Sequence, residues 1–272
     1  MWILYLSLFV VMCALVALAA IAPRRKRDTS PFYRTLYAHR GLHDNHSDAP
    51  ENSLAAFAAA SAAGYGVELD VQFTADRQIV VFHDNDLQRM CGINKRVDEL
   101  TYDELRTYRL LESNQTIPLL SEVLDTLDGA TLLCEFKPMR SYTDTSLCEA
   151  VLPLLDNYKG AVCIESFNPF MVRWFRKHAP QYIRGILSKK FEKGEVTNAL
   201  RFPLTSLFFN WLCRPDFIAY QHTDYQQPFL RLCHLFRPLT IAWTVVSASE
   251  YIQAKAHFDT VIFEGFTPTT TD

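Results

Sequence analysis

Four short segments set residues capable of chemistry at the ends of β-rich runs. TLYAHR (35–40) ends in His39-Arg40, and GVELDV (66–71) carries Glu68 and Asp70. IVVFH (79–83) ends in His83, followed by Asp84, and TLLCEFK (131–137) ends in Glu135-Phe136-Lys137. Residues two apart on a strand share a face, so Glu68 and Asp70 point one way while Val67, Leu69 and Val71 point the other. Glu135 and Lys137 likewise share a face if Phe136 turns outward. Three carboxylates brought together repel one another and lose hydration. A divalent cation relieves both costs, and an all-oxygen donor set suits Mg²⁺ or Ca²⁺ better than zinc. The competing arrangement is an ion-pair network in which Arg40 and Lys137 neutralise the acids without a metal. His39 and His83 beside such a cluster can exchange protons near neutral pH, which points to acid–base catalysis. His43 and His46 read as solvated loop residues, and His178, His222, His234 and His257 as structural ones.

These residues need a scaffold that brings strand ends together. Strand-like runs at 35–40, 66–71, 131–137, 161–166, 183–188, 216–220, 240–245 and 259–264 make eight, and helix-like stretches separate them, including 53–63, 143–157, 169–178 and 247–256. Asn52 or Ser53 can cap the Ala-rich helix at 53–63. Strands alternating with helices argue for parallel β/α units. Eight such units in the length available match an α/β fold of the closed (β/α)8 TIM-barrel type, whose active sites lie at the C-terminal ends of the strands. Every catalytic candidate stands at that end. An open doubly wound sheet is the alternative, but no GxGxxG follows the first strand. The run 79–83 is expected to pair as a hairpin with the end of the second strand, and 85–116 to form a modest insertion.

Residues 1–22 (MWILYLSLFVVMCALVALAAIA) hold one plainly polar side chain, Ser7, and no charge, and Arg24 to Arg27 follow at once. As a helix the segment is long enough to cross a bilayer. A cleaved signal is the alternative, yet signals begin with basic residues, and here the basic cluster follows the span. The division expected is a transmembrane anchor at 1–22, a basic linker at 23–33 and the barrel domain at 34–272. The positive-inside rule places the barrel on the cytoplasmic side of the cell membrane in a single-pass arrangement. Seven cysteines, an odd number without a CxxC pair, argue against a disulfide framework, and Cys134 and Cys163 read as small buried residues. With residues 1–28 set aside, 23 basic residues face 29 acidic ones, a net −6. That disfavours nucleic acid as a partner. No protein partner is implied.

The chain resembles the glycerophosphodiester phosphodiesterase family. AHRG (38–41), PENS (50–53), ELDV (68–71), T-x-D (74–76), VVFHD (80–84), L-x-R (87–89), IPLLSEVL (117–124), EFKP (135–138), ESFNP (165–169), RPDFIAY (214–220) and AWTV (242–245) occur in order. A single HRG is weak; the ordered set covers nearly the whole barrel domain. The resemblance implies a divalent-cation-dependent barrel enzyme that hydrolyses a glycerophosphodiester to glycerol 3-phosphate and an alcohol. Carried over by position, it implies Glu68, Asp70 and Glu135 as metal ligands and His39 and His83 as catalytic histidines. It further implies Arg40 and Lys137 near the phosphate, with Glu51, Phe167 and Trp243 as candidate substrate-pocket residues. Two departures stand out. Val246 follows WTV where the family often has Asn or Asp, and the last strand ends in Phe263-Glu264 where Thr-Asp is common.

Apolar residues crowd 201–213 (RFPLTSLFFNWLC). Either this stretch packs on the barrel or it forms a patch beside the mouth that meets lipid. In the second case a lysophospholipid joins the candidate substrates. A lipid-directed phosphodiesterase on the same plan, and a catalytically silent membrane-tethered module, are the other function classes.

Overall fold

The computed structural model describes residues 1–24, 27–138 and 140–268. Arg25 and Lys26 of the basic cluster, Met139, and 269–272 of the expected barrel domain lie outside the described residues. The strands are β1 (Leu36–His39), β2 (Gly66–Phe73), β3 (Ile79–Val81), β4 (Asp86–Leu87), β5 (Ile93–Arg96), β6 (Leu132–Phe136), β7 (Val162–Ser166), β8 (Ile183–Ser188), β9 (Phe217–Gln221), β10 (Leu239–Val245) and β11 (Thr260–Phe263). The helices are α1 (Trp2–Ile21), α2 (Leu54–Ala62), α3 (Gln88–Cys91), α4 (Tyr102–Leu105), α5 (Leu120–Leu127), α6 (Ser146–Asn157), α7 (Pro169–His178), α8 (Asn198–Thr205), α9 (Asn210–Cys213), α10 (Pro228–Cys233) and α11 (Ala248–Lys255).

β1, β2, β6, β7, β8, β9, β10 and β11 pair in parallel in that order, and β1 also pairs with β11. The ring is therefore closed, and the open-sheet alternative is excluded. β3 adds to β2 antiparallel, as the hairpin expectation had it, and β4, β5, α3 and α4 fall within the insertion at 85–116.

Period-2 alternation sorts the strand residues into two cores. Val67, Leu69, Val71, Leu132, Cys134 and Phe136 pack outward against the helices. Tyr37, Leu133, Cys163, Phe217, Ala219, Ile241 and Ile262 fill the barrel, with Phe32 in the same cluster. Above this apolar plug the inward positions of β1, β2, β6 and β7 turn polar, at His39, Glu68 and Asp70, Glu135 and Glu165, so β1, β6 and β7 carry a hydrophobic residue low and a reactive group high. The plug is tight at one point. Gly185 on β8 lies in register with Phe217 on β9, and a Cβ at Gly185 would land on the Phe217 ring. Gly185→Ala is expected to cost about 1–3 kcal/mol by overpacking, read as a lower Tm in thermal unfolding.

α1 is a 20-residue apolar helix that stands off the barrel, with only Ala20 and Ile21 buried. The described residues of the linker do not hang free. The Arg24 backbone N–H donates to the Pro215 carbonyl at 2.8 Å, the Arg27 guanidinium donates to the Gln181 carbonyl at 2.6 Å, and Phe32 is buried.

The stretch 201–213 spans α8 and α9. Leu204 and Leu207 pack inward, while Phe202, Phe208 and Trp211 remain exposed. α9 leads directly into Arg214–Asp216 and the start of β9, so Phe208 and Trp211 stand at the N-terminal end of the barrel. The expectation of a patch beside the mouth is corrected on this point. The descent of a βα unit's helix carries the end of the segment away from the catalytic rim.

Candidate active site

Strand register assembles the acids. His39 is paired with Glu68, Asp70 with Glu135, and Glu135 with Glu165 across four adjacent strands. Glu68, Asp70 and Glu135 each offer an oxygen within 4.8 Å of the others, and all three are buried. Burial, followed by the Asp70 and Glu135 charges, pushes the Glu68 pKa well up, and burial also raises that of Glu135, against the opposing Lys137 charge and with the Asp70 charge behind it. Asp70 moves the other way: burial would raise it, but Lys137, His83 and Arg40 together hold it far below the ordinary carboxylate range. The Lys137 ammonium sits 2.7 Å from both Asp70 Oδ1 and Glu135 Oε1, and Arg40 Nε lies 3.5 Å from Asp70 Oδ2. Those cations leave the cluster short of neutral. Beside the cluster the Glu165 Oε2 atom is buried without a hydrogen-bond partner. Buried, all-oxygen donors at this spacing, with a further carboxylate oxygen left unpartnered, fit a hard divalent cation.

Each histidine has its own carboxylate. His39 Nδ1 lies 2.6 Å from Glu264 Oε2, and His83 Nδ1 lies 2.6 Å from Asp84 Oδ1. The His39 hydrogen bond lowers the Glu264 pKa, and Asp84 falls well below its usual value where bonds from His83 and Arg89 outweigh burial. Both carboxylates are therefore ionised and only accept, so each imidazole donates from Nδ1 and leaves Nε2 free for proton transfer. Burial lowers the His39 pKa, and the Glu264 bond opposes that. His39 Nε2 lies 3.9 Å from Glu68 Oε2.

Backbone geometry aims these groups. Arg40 and Gly41 both adopt positive φ, at 56° and 86°, which turns the chain back over the rim. A Cβ at Gly41 would strike the Ala56 backbone, so this turn needs glycine. The Arg40 N–H then donates to Glu68 Oε2 at 3.1 Å. Ser53 caps α2, accepting from the Ala56 N–H, while Asn52 turns its amide to Asp70 Oδ2 at 3.1 Å. Gln72 donates to the Phe82 and Asp84 carbonyls, fixing the turn that presents His83.

Glu51 is the hub of the cationic side. It accepts from Arg40 at 2.6 Å, from Arg89 through two bonds of 2.7 Å, and from Asn45 at 3.1 Å. Burial acts to raise its pKa, but Arg89 and Arg40 prevail and bring it down to about 2 from an ordinary 4.5. Glu51 thus contributes stability in full above pH 4.5 and loses it as the pH falls from 4.5 through 2. The Tm of the native chain is expected to fall more between pH 5 and pH 3 than that of Glu51→Gln. Equal slopes in the two thermal-unfolding series would show that Glu51 carries no such linkage.

Phe167 and Trp243 meet edge to face, with centroids 5.5 Å apart, and rest on the top of the barrel plug. They form an apolar wall at the mouth.

The structure brings together all the residues the sequence singled out around the acids, and adds five. Glu165 pairs with Glu135, Glu264 accepts from His39 and Asn52 donates to Asp70, while Arg89 holds Glu51 and Asp84, and Gln72 holds the Phe82 and Asp84 carbonyls. Glu165 had a local signal, since it stands two residues before Phe167 and so shares its inward face. The partners of Glu264 and Asn52 are set only by strand closure. His43, read as a solvated loop residue, is turned inward instead. Its side chain is 7% exposed and its Nε2 lies 3.6 Å from Glu264 Oε1, because the turn after β1 folds back over β11.

The profile of the Glycerophosphoryl diester phosphodiesterase family matches residues 39–264. A glycerophosphodiester phosphodiesterase of Bacillus altitudinis is 40% identical over 164 residues, 56% of this chain and 66% of the relative. The match thus spans just under two thirds of that relative's length. A lysophospholipase D of Rattus norvegicus is 32% identical over 122 residues, 40% of this chain and 38% of the relative. Among solved structures, an Oleispira antarctica phosphodiesterase in complex with sn-glycerol-3-phosphate superposes with a TM-score of 0.70 at 22% identity, covering 86% of this chain and 94% of the other. That likeness is one of fold. The matched stretch opens on His39 and closes on Glu264, the pair that hydrogen-bonds across the rim, and the chain belongs to the glycerophosphoryl diester phosphodiesterase family.

Proposed function

We propose that this protein hydrolyses glycerophosphodiesters to glycerol 3-phosphate and an alcohol. The observation that carries the reading is the buried trio Glu68, Asp70 and Glu135, with two carboxylate-oriented imidazoles beside it. Glu68, Asp70 and Glu135 would hold a divalent cation, Mg²⁺ or Ca²⁺, with Glu165 supplying further negative charge. Such an ion, when bound, withdraws charge from a phosphate oxygen and favours attack at phosphorus. Arg40 and Lys137 offset the charge that gathers on the phosphoryl group. One histidine takes the proton of the attacking oxygen through Nε2, and the other gives a proton to the departing alcohol oxygen as the P–O bond breaks. The attacking oxygen is that of water, or the glycerol 2-hydroxyl, which yields a cyclic phosphate opened later by water. Glu51 fixes Arg40, and Phe167 with Trp243 offers an apolar face to the substrate.

The length and composition of α1 support a membrane anchor, and the basic residues after it support a cytoplasmic barrel. The deciding experiment assays the full chain on glycerophosphocholine, glycerophosphoethanolamine and lysophosphatidylcholine with Mg²⁺, Ca²⁺ or a chelator. Cation-dependent release of glycerol 3-phosphate from the first two is expected. Turnover of lysophosphatidylcholine alone would move the assignment to a lysophospholipase D. No turnover with any cation would sink the enzyme reading.

A further inference from the structure

We infer that the N-terminal end of the barrel rests on the membrane surface, so that the catalytic mouth opens into water and takes diesters already free of acyl chains. This rests on reading α1 as a membrane anchor and extends it from tethering to a fixed orientation.

The root of α1 is bolted to the barrel. A helix leaves its last carbonyls without internal partners, and here barrel side chains satisfy them. Asn210, fully buried, donates to the Ile21 carbonyl at 2.7 Å, and Cys233 approaches the same oxygen at 3.4 Å. Arg214 donates to the Ala19 and Ala22 carbonyls at 3.0 and 2.8 Å. The next contact, from Arg24 to the Pro215 carbonyl, falls just before β9 begins. All of these anchor points lie at the N-terminal ends of the strands, whereas His39, Asp70 and Glu135 lie toward the C-terminal ends. A five-residue parallel strand alone rises roughly 16 Å, which separates the two rims.

The surface around that root has the chemistry of a bilayer interface. α1 packs against α9 and α10. Phe208 and Trp211 on one side are 38% and 48% exposed, and Leu232 and Leu235 on the other are 38% and 71% exposed. They flank the point where a 20-residue apolar helix leaves the barrel, and exposed Trp and Leu at such a junction suit the boundary between headgroups and acyl chains. Arg231 and Arg237 are exposed beside them, suited to anionic headgroups. The loop after β1, at the opposite rim, exposes Asp44 and Asp48, which an anionic surface would repel. Seated this way, the mouth lies a barrel's height above the lipid. A lysophospholipid held by its acyl chain does not reach it, and a water-soluble glycerophosphodiester does.

The chain's own tryptophans report the orientation. The full chain is reconstituted into phosphatidylcholine–phosphatidylglycerol vesicles containing lipid brominated high on the acyl chain. Emission is compared for the native chain and for Trp2→Phe, Trp174→Phe, Trp211→Phe and Trp243→Phe, which isolates the share of each of the four tryptophans. Trp211 emission is expected to fall at least twofold and Trp243 emission to stay unchanged. Unquenched Trp211 with quenched Trp2 would show an inserted helix with the base of the barrel free of lipid, overturning the seat while sparing the anchor. Quenched Trp243 would put the mouth at the membrane and overturn it as well. If Trp2 is also unquenched, the anchor fails and the seat goes with it.

Discussion

Replacing His39 or His83 with Ala is expected to lower kcat by ~10²–10⁴-fold while leaving the fold intact, the range general acid–base groups supply. Neither imidazole belongs to the apolar cores, so the loss would come from chemistry. The hydrogen bonds sharpen the test. Glu264 accepts from His39 Nδ1, and Asp84 does the same for His83. Glu264→Gln therefore keeps the shape of the site but loses the charge that orients His39 and stabilises its protonated form. Its kcat is expected to fall at least about tenfold, less than for His39→Ala, with KM little changed, since the side chain acts through the imidazole. Steady-state kinetics on a soluble diester, with circular dichroism to verify folding, reads all three variants. A folded His39→Ala or His83→Ala protein turning over at the native rate would remove that residue from the mechanism.

Asp70→Asn is the second large effect. Asp70 is the centre of the site, facing Lys137 at 2.7 Å, Arg40 at 3.5 Å and Asn52 at 3.1 Å. The substitution is nearly isosteric and removes one of three charges that would bind the cation. Lewis-acid stabilisation is worth several kcal/mol, and each 1.36 kcal/mol is tenfold in rate, so a loss of ~10²–10³-fold in kcat/KM is expected. A second readout avoids turnover altogether. Binding to the folded state alone raises stability by mass action, so Mg²⁺ or Ca²⁺ is expected to raise the Tm of the native chain and not that of Asp70→Asn. Identical cation-dependent Tm shifts in both proteins would take Asp70 out of the ligand set. No shift in either would favour the ion-pair network through Lys137 as the resting state of the cluster.

The Glu51 titration tests the same charge arrangement from its cationic side. Asp70 and Glu51 share Arg40, and Glu51 is held at about 2 largely by Arg89 and Arg40 in spite of burial. The guanidinium is thereby fixed between the two acids before any phosphate arrives, which lowers the reorganisation needed on binding.

What the sequence determined by itself is everything with a short period. The two-residue repeat fixes Glu68 and Asp70 on one face and Val67, Leu69 and Val71 on the other. It sets Glu135 and Lys137 on the same face with Phe136 turned out, and the β-rich runs number the strands. Side-chain alternation is a local property of extended backbone, so no partner is needed to read it. Register and closure are different. That Asp70 stands beside Glu135, that Glu264 reaches His39 across 225 positions, and that Asn52 serves Asp70 rather than a helix cap depend on which strands meet and at what offset. The place of Phe208 and Trp211 was equally hidden, because composition shows that a segment is apolar and only the path of the chain shows which end of the barrel it reaches. Those facts follow from non-local pairing, packing and left-handed turns such as Arg40-Gly41, whose energies depend on the whole barrel and leave no mark in any short window of sequence.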